Sequence, residues 1–444
     1  MTTAVRPRPT ATPAPLTRGQ LAARAALELL PAYLVGLVLL PRIISGGRYS
    51  PYVPATIDLQ VYVYAVHDLL AGKDIFQTVT PGWHLYFIYP PIAAILMVPL
   101  AFGPYVMWQL IWAAGLLWAQ WSVLKRCGVP RGLPMTLLMV AVLVAVEPIR
   151  TTLGYGQVNT FLMAFVVIDL LPDPEDRPDL PGGGRRRIPR GILIGLAASI
   201  KLTPALFVVF LLLLGRRRAA LWGIASFCFF TGVGAVLQPH QTVDFAKSLL
   251  GGNTHTASPL YVGNQSLLGV FFRLVGKGTS TTLIGLPIAG VVALLAAIVA
   301  AYWWRRGAKV FAVGLVGLAT NLASPLSWTH HFVWILPLGI AVVGQLAQRR
   351  WPASPDRPGV RLPVWTTLAC GVWVVWVCVC LPLARLPYGN NVELTYDFGQ
   401  EVIANFGPVL GAVIIVALAV QLLRGRSRPT AAVRTTPEVA SRPS

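Results

Sequence analysis

Long apolar runs, punctuated by short clusters of Lys or Arg, recur from Ala25 to Leu423 and restrict this chain to one kind of architecture. A helix needs about 20 consecutive apolar residues to cross a bilayer, and within the hydrocarbon every backbone polar group must be satisfied inside the segment. Composition agrees: 55% of residues are hydrophobic and 12% charged, with a mean hydropathy of +0.65, whereas about a quarter of a soluble domain is charged. The chain reads as an all-α, polytopic integral membrane protein. Its net charge of +20 does not argue for nucleic acid, because the cations fall in short clusters between apolar runs and form no patch with interleaved aromatics. Cys127, Cys228, Cys370, Cys378 and Cys380 sit mostly inside apolar runs with no ligand spacing to histidine, so neither a disulfide nor a metal or other cofactor is expected. No cleavable signal is evident, since the first apolar run follows a Pro/Thr/Arg-rich leader and lacks a small-residue cleavage site.

Residues 1–24 and 425–444 read as disordered cytoplasmic tails flanking a transmembrane domain, 25–424, whose first external loop spans 46–103. Charge sets the orientation. Arg18 and Arg24 hold the N-terminus inside, Ala25 to Ser45 runs outward, and Lys125, Arg126 and Arg131 return to the cytoplasm if the short run Tyr89 to Phe102 does not cross. Leu133 to Val146 runs out and Thr160 to Leu171 runs back, to a basic, glycine-rich linker. From Gly191 to Leu214 both flanks are basic, so two short helices should meet in an outer tip at Lys201, a single Pro204-kinked helix being the alternative. Continuing to Arg426 gives about twelve crossings, with all six histidines outside.

The first external loop carries the most telling stretch. Leu59, Tyr62, Val63, Val66, Leu69 and Leu70 recur at helical spacing until Gly72, which predicts an amphipathic helix with Asp58 at its N-terminal end. Asp58 there is either a helix cap or a general base. Glu147 and Arg150, Gln157 and Asn159, Lys201, Asn264 and Gln265, and His330 with His331 also fall at outer helix ends. Such a set suits group transfer from a phosphate-linked donor. A carboxylate takes the proton of an acceptor hydroxyl, while Lys201, with a protonated His330 or His331, offsets charge on a leaving phosphate. On a helix the two histidines point about 100° apart, so one faces the cavity, and we favour His330. Tyr62, Trp83, Tyr89 and Trp328 are candidates for stacking on a sugar, or for packing in an interfacial belt.

Six stretches carry a resemblance: Asp58-Leu59-Gln60-Val61-Tyr62, Tyr89-Pro90-Pro91, Gly156-Gln157-Val158-Asn159, Lys201-Leu202-Thr203-Pro204, Gly263-Asn264-Gln265-Ser266, and Ser324 to His331. In this order they resemble the polyprenyl-phosphate-sugar-dependent membrane glycosyltransferases, within them the actinobacterial α-1,2-mannosyltransferases of glycosyltransferase family 87. The resemblance implies a GT-C type fold with juxtamembrane helices in the first external loop, and an inverting reaction with Asp58 as base. It implies a polyprenyl-phosphate-mannose donor, a phosphatidylinositol mannoside or lipoglycan acceptor, and an active site on the outer face of the plasma membrane among membrane lipids. Many relatives carry two acids in the first loop; here Asp68 and Asp74 lie about three and more than four helical turns beyond Asp58. Polyprenyl-phosphate-arabinose-dependent arabinofuranosyltransferases share these motifs and remain an alternative. A secondary transporter would show internal repeats and matched helix interruptions, and neither is seen.

Overall fold

The computed structural model describes residues 17–39, 56–174, 188–251, 258–348 and 354–426. Expectations that fall on Arg185 to Arg187, His255 and most of the two tails lie outside these residues.

Helix α1 (Arg18–Leu34) starts seven residues before the boundary expected at Ala25 and continues as a π-helical turn, Val35–Leu39. The cause is a capping box, in which the Thr17 and Gln20 side chains satisfy each other's backbone N–H. Its Glu28 carboxylate is buried and engaged by Trp121 Nε1 at 2.8 Å, Arg131 Nε at 2.7 Å and the Gly132 N–H. An acid that sequence reasoning passed over thus ties α1 to its neighbours.

In the first loop, α2 (Ile57–Leu70) buries Leu59, Tyr62, Val66 and Leu69, the stripe its spacing predicts. α3 (Pro91–Leu96) has six residues before a short 3-10 turn, too few to cross. α4 (Tyr105–Arg126) follows, and then α5 (Leu133–Ala145) and α6 (Glu147–Tyr155), which bend by 82° where they meet. Next come α7 (Asn159–Leu170), α8 (Ile192–Ile200), α9 (Leu206–Leu213) and α10 (Arg217–Leu237). α11 (Pro239–Gly251) and α12 (Leu267–Val275) make up the second inter-span segment. α13 (Thr279–Arg306) and α14 (Lys309–Ala323) form the centre, α14 being buried along nearly all its length. A 3-10 turn, Thr329–Trp334, leads into α15 (Ile335–Leu346), followed by α16 (Val364–Val379) and α17 (Leu381–Arg385). The last helix, α18 (Phe398–Arg426), begins eight residues before the expected Phe406 and carries Pro408 internally.

Among the described residues there is no strand beyond two isolated bridges, Val79 with Tyr86 and Asn264 with Trp328. Four helical stretches are long and apolar enough to cross a membrane alone, five if the bent α5–α6 pair counts as one. The protein is therefore a multi-pass membrane protein. Two of the apolar runs are divided into shorter helices, by breaks at Lys201 and at Cys380.

Helices α8 and α9 form a hairpin, as their basic flanks predicted. Gly191, at the start of α8, lies against Ala219, and Val208 of α9 reaches Gly223 of the same helix, α10. Arg190 and Arg216, at the two feet, line one cavity. Gly191 is obligatory here: its φ is +103°, and an added Cβ would fall 1.9 Å from the Ala219 carbonyl oxygen. With nine and eight residues, each arm is roughly 13 Å long. The Lys201 tip lies at the break between the two arms, where the sequence predicted one.

Candidate active site

Thr56 sets the position of Asp58. It caps α2 in the left-handed region, at φ 32°, and its hydroxyl accepts from Gln109 Nε2 at 2.9 Å and pairs with the Tyr105 hydroxyl. The cap is therefore Thr56, and Asp58 stands in the first turn. On its other side α2 meets Gly156. That residue has a φ of +68°, and a Cβ there would lie 2.7 Å from the Leu59 Cβ. Both the close approach and the backbone conformation need glycine. Gly156→Ala should push α2 away; since misplacing a reacting group by about 1 Å can cost up to 100-fold, transfer should fall by roughly that factor. A hydrogen-exchange comparison should show α2 loosened while the hairpin keeps its protection.

Next to Gly156, the Gln157 side chain is oriented by three donors to its Oε1: Tyr62 OH at 2.7 Å, Tyr89 OH at 2.8 Å and the Val158 N–H at 2.9 Å. With the oxygen so occupied, the amide nitrogen is the donor left for Asp58, whose ionised form Gln157 favours. Tyr62 is fully buried with its ring edge-on to Tyr89 at 5.6 Å, so it serves this network and is not the sugar-stacking face expected of it. Asp58 is half-buried. Burial pushes its carboxyl up to about 7, opposed by the charge of Lys201 and the hydrogen bond from Gln157.

Lys201 reaches from the hairpin tip into the same space. Its Nζ donates to Asn159 Oδ1 at 3.0 Å, lies 3.1 Å from His331 Nε2 and stands 5.8 Å from the centre of the Tyr89 ring. His331, not His330, faces the lysine, because the residues form a 3-10 turn and not an α-helix. The protonated histidine expected there is not what this geometry holds. His331 Nδ1 accepts the Trp328 N–H at 3.2 Å, which a doubly protonated ring cannot do. Its hydrogen is then on Nε2, directed at the lysine. Two donors converge on one another, an arrangement that an anionic oxygen between them would relieve.

His330 is buried, with its ring edge-on to Tyr155 at 5.1 Å. Its carbonyl accepts from Thr152 Oγ1 at 2.8 Å and Asn159 Nδ2 at 3.2 Å. Asn159 therefore bridges Lys201 to the 3-10 turn and fixes both.

Other expected residues are drawn elsewhere. Asn264 is wholly buried and spends its side chain on the Ser327 and Ser266 N–H groups and the Pro259 carbonyl, which splices the second loop to Ser327. Gln265 donates to the Val262 and Ala404 carbonyls. Arg150 donates to the Val144 carbonyl at the end of α5. Trp328 packs its ring 5.7 Å from Tyr261, and Trp83 is exposed. Glu147 is buried, with Thr151 and Thr329 donating to one carboxyl oxygen. Asp68 takes Thr78 and Lys73, and Asp74 caps a 3-10 turn. Sequence reasoning places Tyr155 and Arg273 on the outer side without counting them as site residues; the Tyr155 ring meets His330, and Arg273 is buried between Asn405 and the Asn264 carbonyl. Tyr155 has a signal in hindsight, as it directly precedes Gly156-Gln157.

The model of glycosyltransferase family 87 matches residues 87–325, more than half the chain and inclusive of Gln157, Asn159 and Lys201. The chain belongs to glycosyltransferase family 87. It is 33% identical over 338 residues, 71% of this chain and 76% of the relative, to a polyprenol-phosphate-mannose-dependent α-(1-2)-phosphatidylinositol pentamannoside mannosyltransferase of Mycolicibacterium smegmatis. It is also 31% identical over 355 residues, 72% of this chain and 78% of the relative, to a polyprenol-phosphate-mannose-dependent α-(1-2)-phosphatidylinositol mannoside mannosyltransferase of Mycobacterium tuberculosis. No solved structure matches this family member. Glycosyl transfer is thus its chemistry, and the relatives named are mannosyltransferases.

Proposed function

We propose that this protein transfers mannose from polyprenyl-phosphate-mannose to a phosphatidylinositol mannoside or related lipoglycan, forming an α-1,2 bond on the outer face of the plasma membrane within a GT-C type fold. The observation that carries this reading is the convergence of one carboxylate, Asp58, with one cation, Lys201, in a polar space among apolar helices. The named relatives supply the donor and acceptor.

In the proposed step the acceptor hydroxyl oxygen attacks the anomeric carbon opposite the phosphate. Its proton passes to Asp58, and the bond from the anomeric carbon to the phosphate oxygen breaks with its electron pair leaving on the polyprenyl phosphate. Gln157 holds Asp58 in place, while Lys201 and the His331 N–H stabilise the departing anion. A base with a carboxyl near 7 is half ionised at neutral pH, which is close to the optimum for general base catalysis.

The sign of the pH dependence follows. Only ionised Asp58 accepts a proton, so kcat/KM should climb about tenfold per pH unit below the carboxyl value and level off above about 7. A rate constant across that range that does not rise with pH would remove Asp58 as the base. Product chemistry tests the rest: the mannosylated lipid should be cleaved by a 1,2-α-specific mannosidase, and resistance to it would refute the proposed bond.

A further inference from the structure

The hairpin that carries Lys201 at its tip has a second site at its feet. There Arg190, Arg216, Arg217, Arg218 and Lys309 line an open cavity of about 690 Å³ together with Trp222 and Trp304. Among the described residues that line it there is no carboxylate. The described acids nearby accept from other groups as well: Asp169 from the Gly191 and Ile194 N–H groups, Asp356 from those of Lys309 and Val310, and Asp173 from Lys125 and Arg126. The Arg216 guanidinium stacks on the Trp304 indole at 5.0 Å, with the Lys309 ammonium 5.9 Å from the same ring. Two of the cations are thereby held against an aromatic face.

Orientation in the membrane needs cations on one side of the bilayer, wherever they sit along the loops. It does not need five of them around one concavity with indole walls, and tryptophan is enriched where a helix meets lipid headgroups. We propose that this cavity binds the phosphate headgroup of an anionic membrane lipid, and that the bound headgroup braces the two feet of the α8–α9 hairpin and so the position of Lys201.

The test uses the full chain in nanodiscs of phosphatidylcholine with increasing phosphatidylglycerol, and reads retained lipid by native mass spectrometry. Arg217 and Arg218 are exposed and lie outside the catalytic cluster, so Arg217→Ala with Arg218→Ala should fold normally. At about a fivefold gain in affinity per cation near an anionic surface, the pair should lose roughly 30-fold in phosphatidylglycerol affinity. Arg217→Lys with Arg218→Lys should lose little. Unchanged affinity in the alanine pair overturns the site. Displacement by millimolar inorganic phosphate overturns the lipid as its occupant in favour of free phosphate. Lipid binding that emerges only after Glu175, Asp176 and Asp179 are neutralised makes the linker the occupant and likewise overturns it. The effect on Lys201 rests on the proposed catalytic reading and has its own readout. Transfer should rise with phosphatidylglycerol in the wild type and not in the alanine pair. A rise equal in both refutes the bracing, whereas absence of transfer from any nanodisc, with lipid binding intact, counts against the catalytic reading alone.

Discussion

Asp58→Asn should yield a folded protein that holds its donor but transfers sugar 10²–10⁴-fold more slowly, the range that a positioned general base contributes (about two to four orders of magnitude). The substitution keeps the size of the side chain and its place beside Gln157. Burial already disfavours the ionised carboxyl, so a neutral amide removes a cost and should not unfold α2. Donor affinity is expected to change little, because the anion site is built from Lys201 and His331. Measured turnover within a few-fold of wild type, in protein with wild-type melting, would show that the base lies elsewhere.

Lys201→Ala carries the second large effect. The lysine is the one cation in direct contact with Asn159 and His331, and loss of a donor aimed at developing charge costs about 10²–10³ in rate. The loss should appear both in kcat and in donor binding, since the donor already bears a phosphate charge before reaction. Lys201→Arg should recover donor binding better than rate: it restores the charge but not the compact ammonium that fits between Asn159 and His331. An alanine variant with unchanged donor KM and kcat would take Lys201 out of the site.

How much of this was legible in the sequence depended on whether a residue announces itself locally. The stripe on α2 and the break at Lys201 follow from helical spacing and from proline, and both are present. The basic flanks of the hairpin predicted its two-armed form. The choice between the histidines went to His331, since the 3-10 geometry of residues 329–334 replaces the α-helical angle assumed for the pair. Tyr62 illustrates another limit: a tyrosine at a loop helix looks like a ligand contact, but its hydroxyl is used 95 residues away on Gln157. Long-range pairing of this kind leaves no periodic trace. The same holds for Glu28, whose partners Trp121 and Arg131 come from beyond α1, and for Asn264, whose polar side chain splices two loops.

The most direct test of the central claim is transfer from radiolabelled polyprenyl-phosphate-mannose, beside the matching arabinose donor, into a membrane lipid extract by the purified wild-type chain. Mannose should enter a phosphatidylinositol mannoside while the arabinose donor gives background counts. Arabinose incorporation without mannose would contradict the proposed donor, and incorporation of neither by folded protein would contradict the proposed transfer itself.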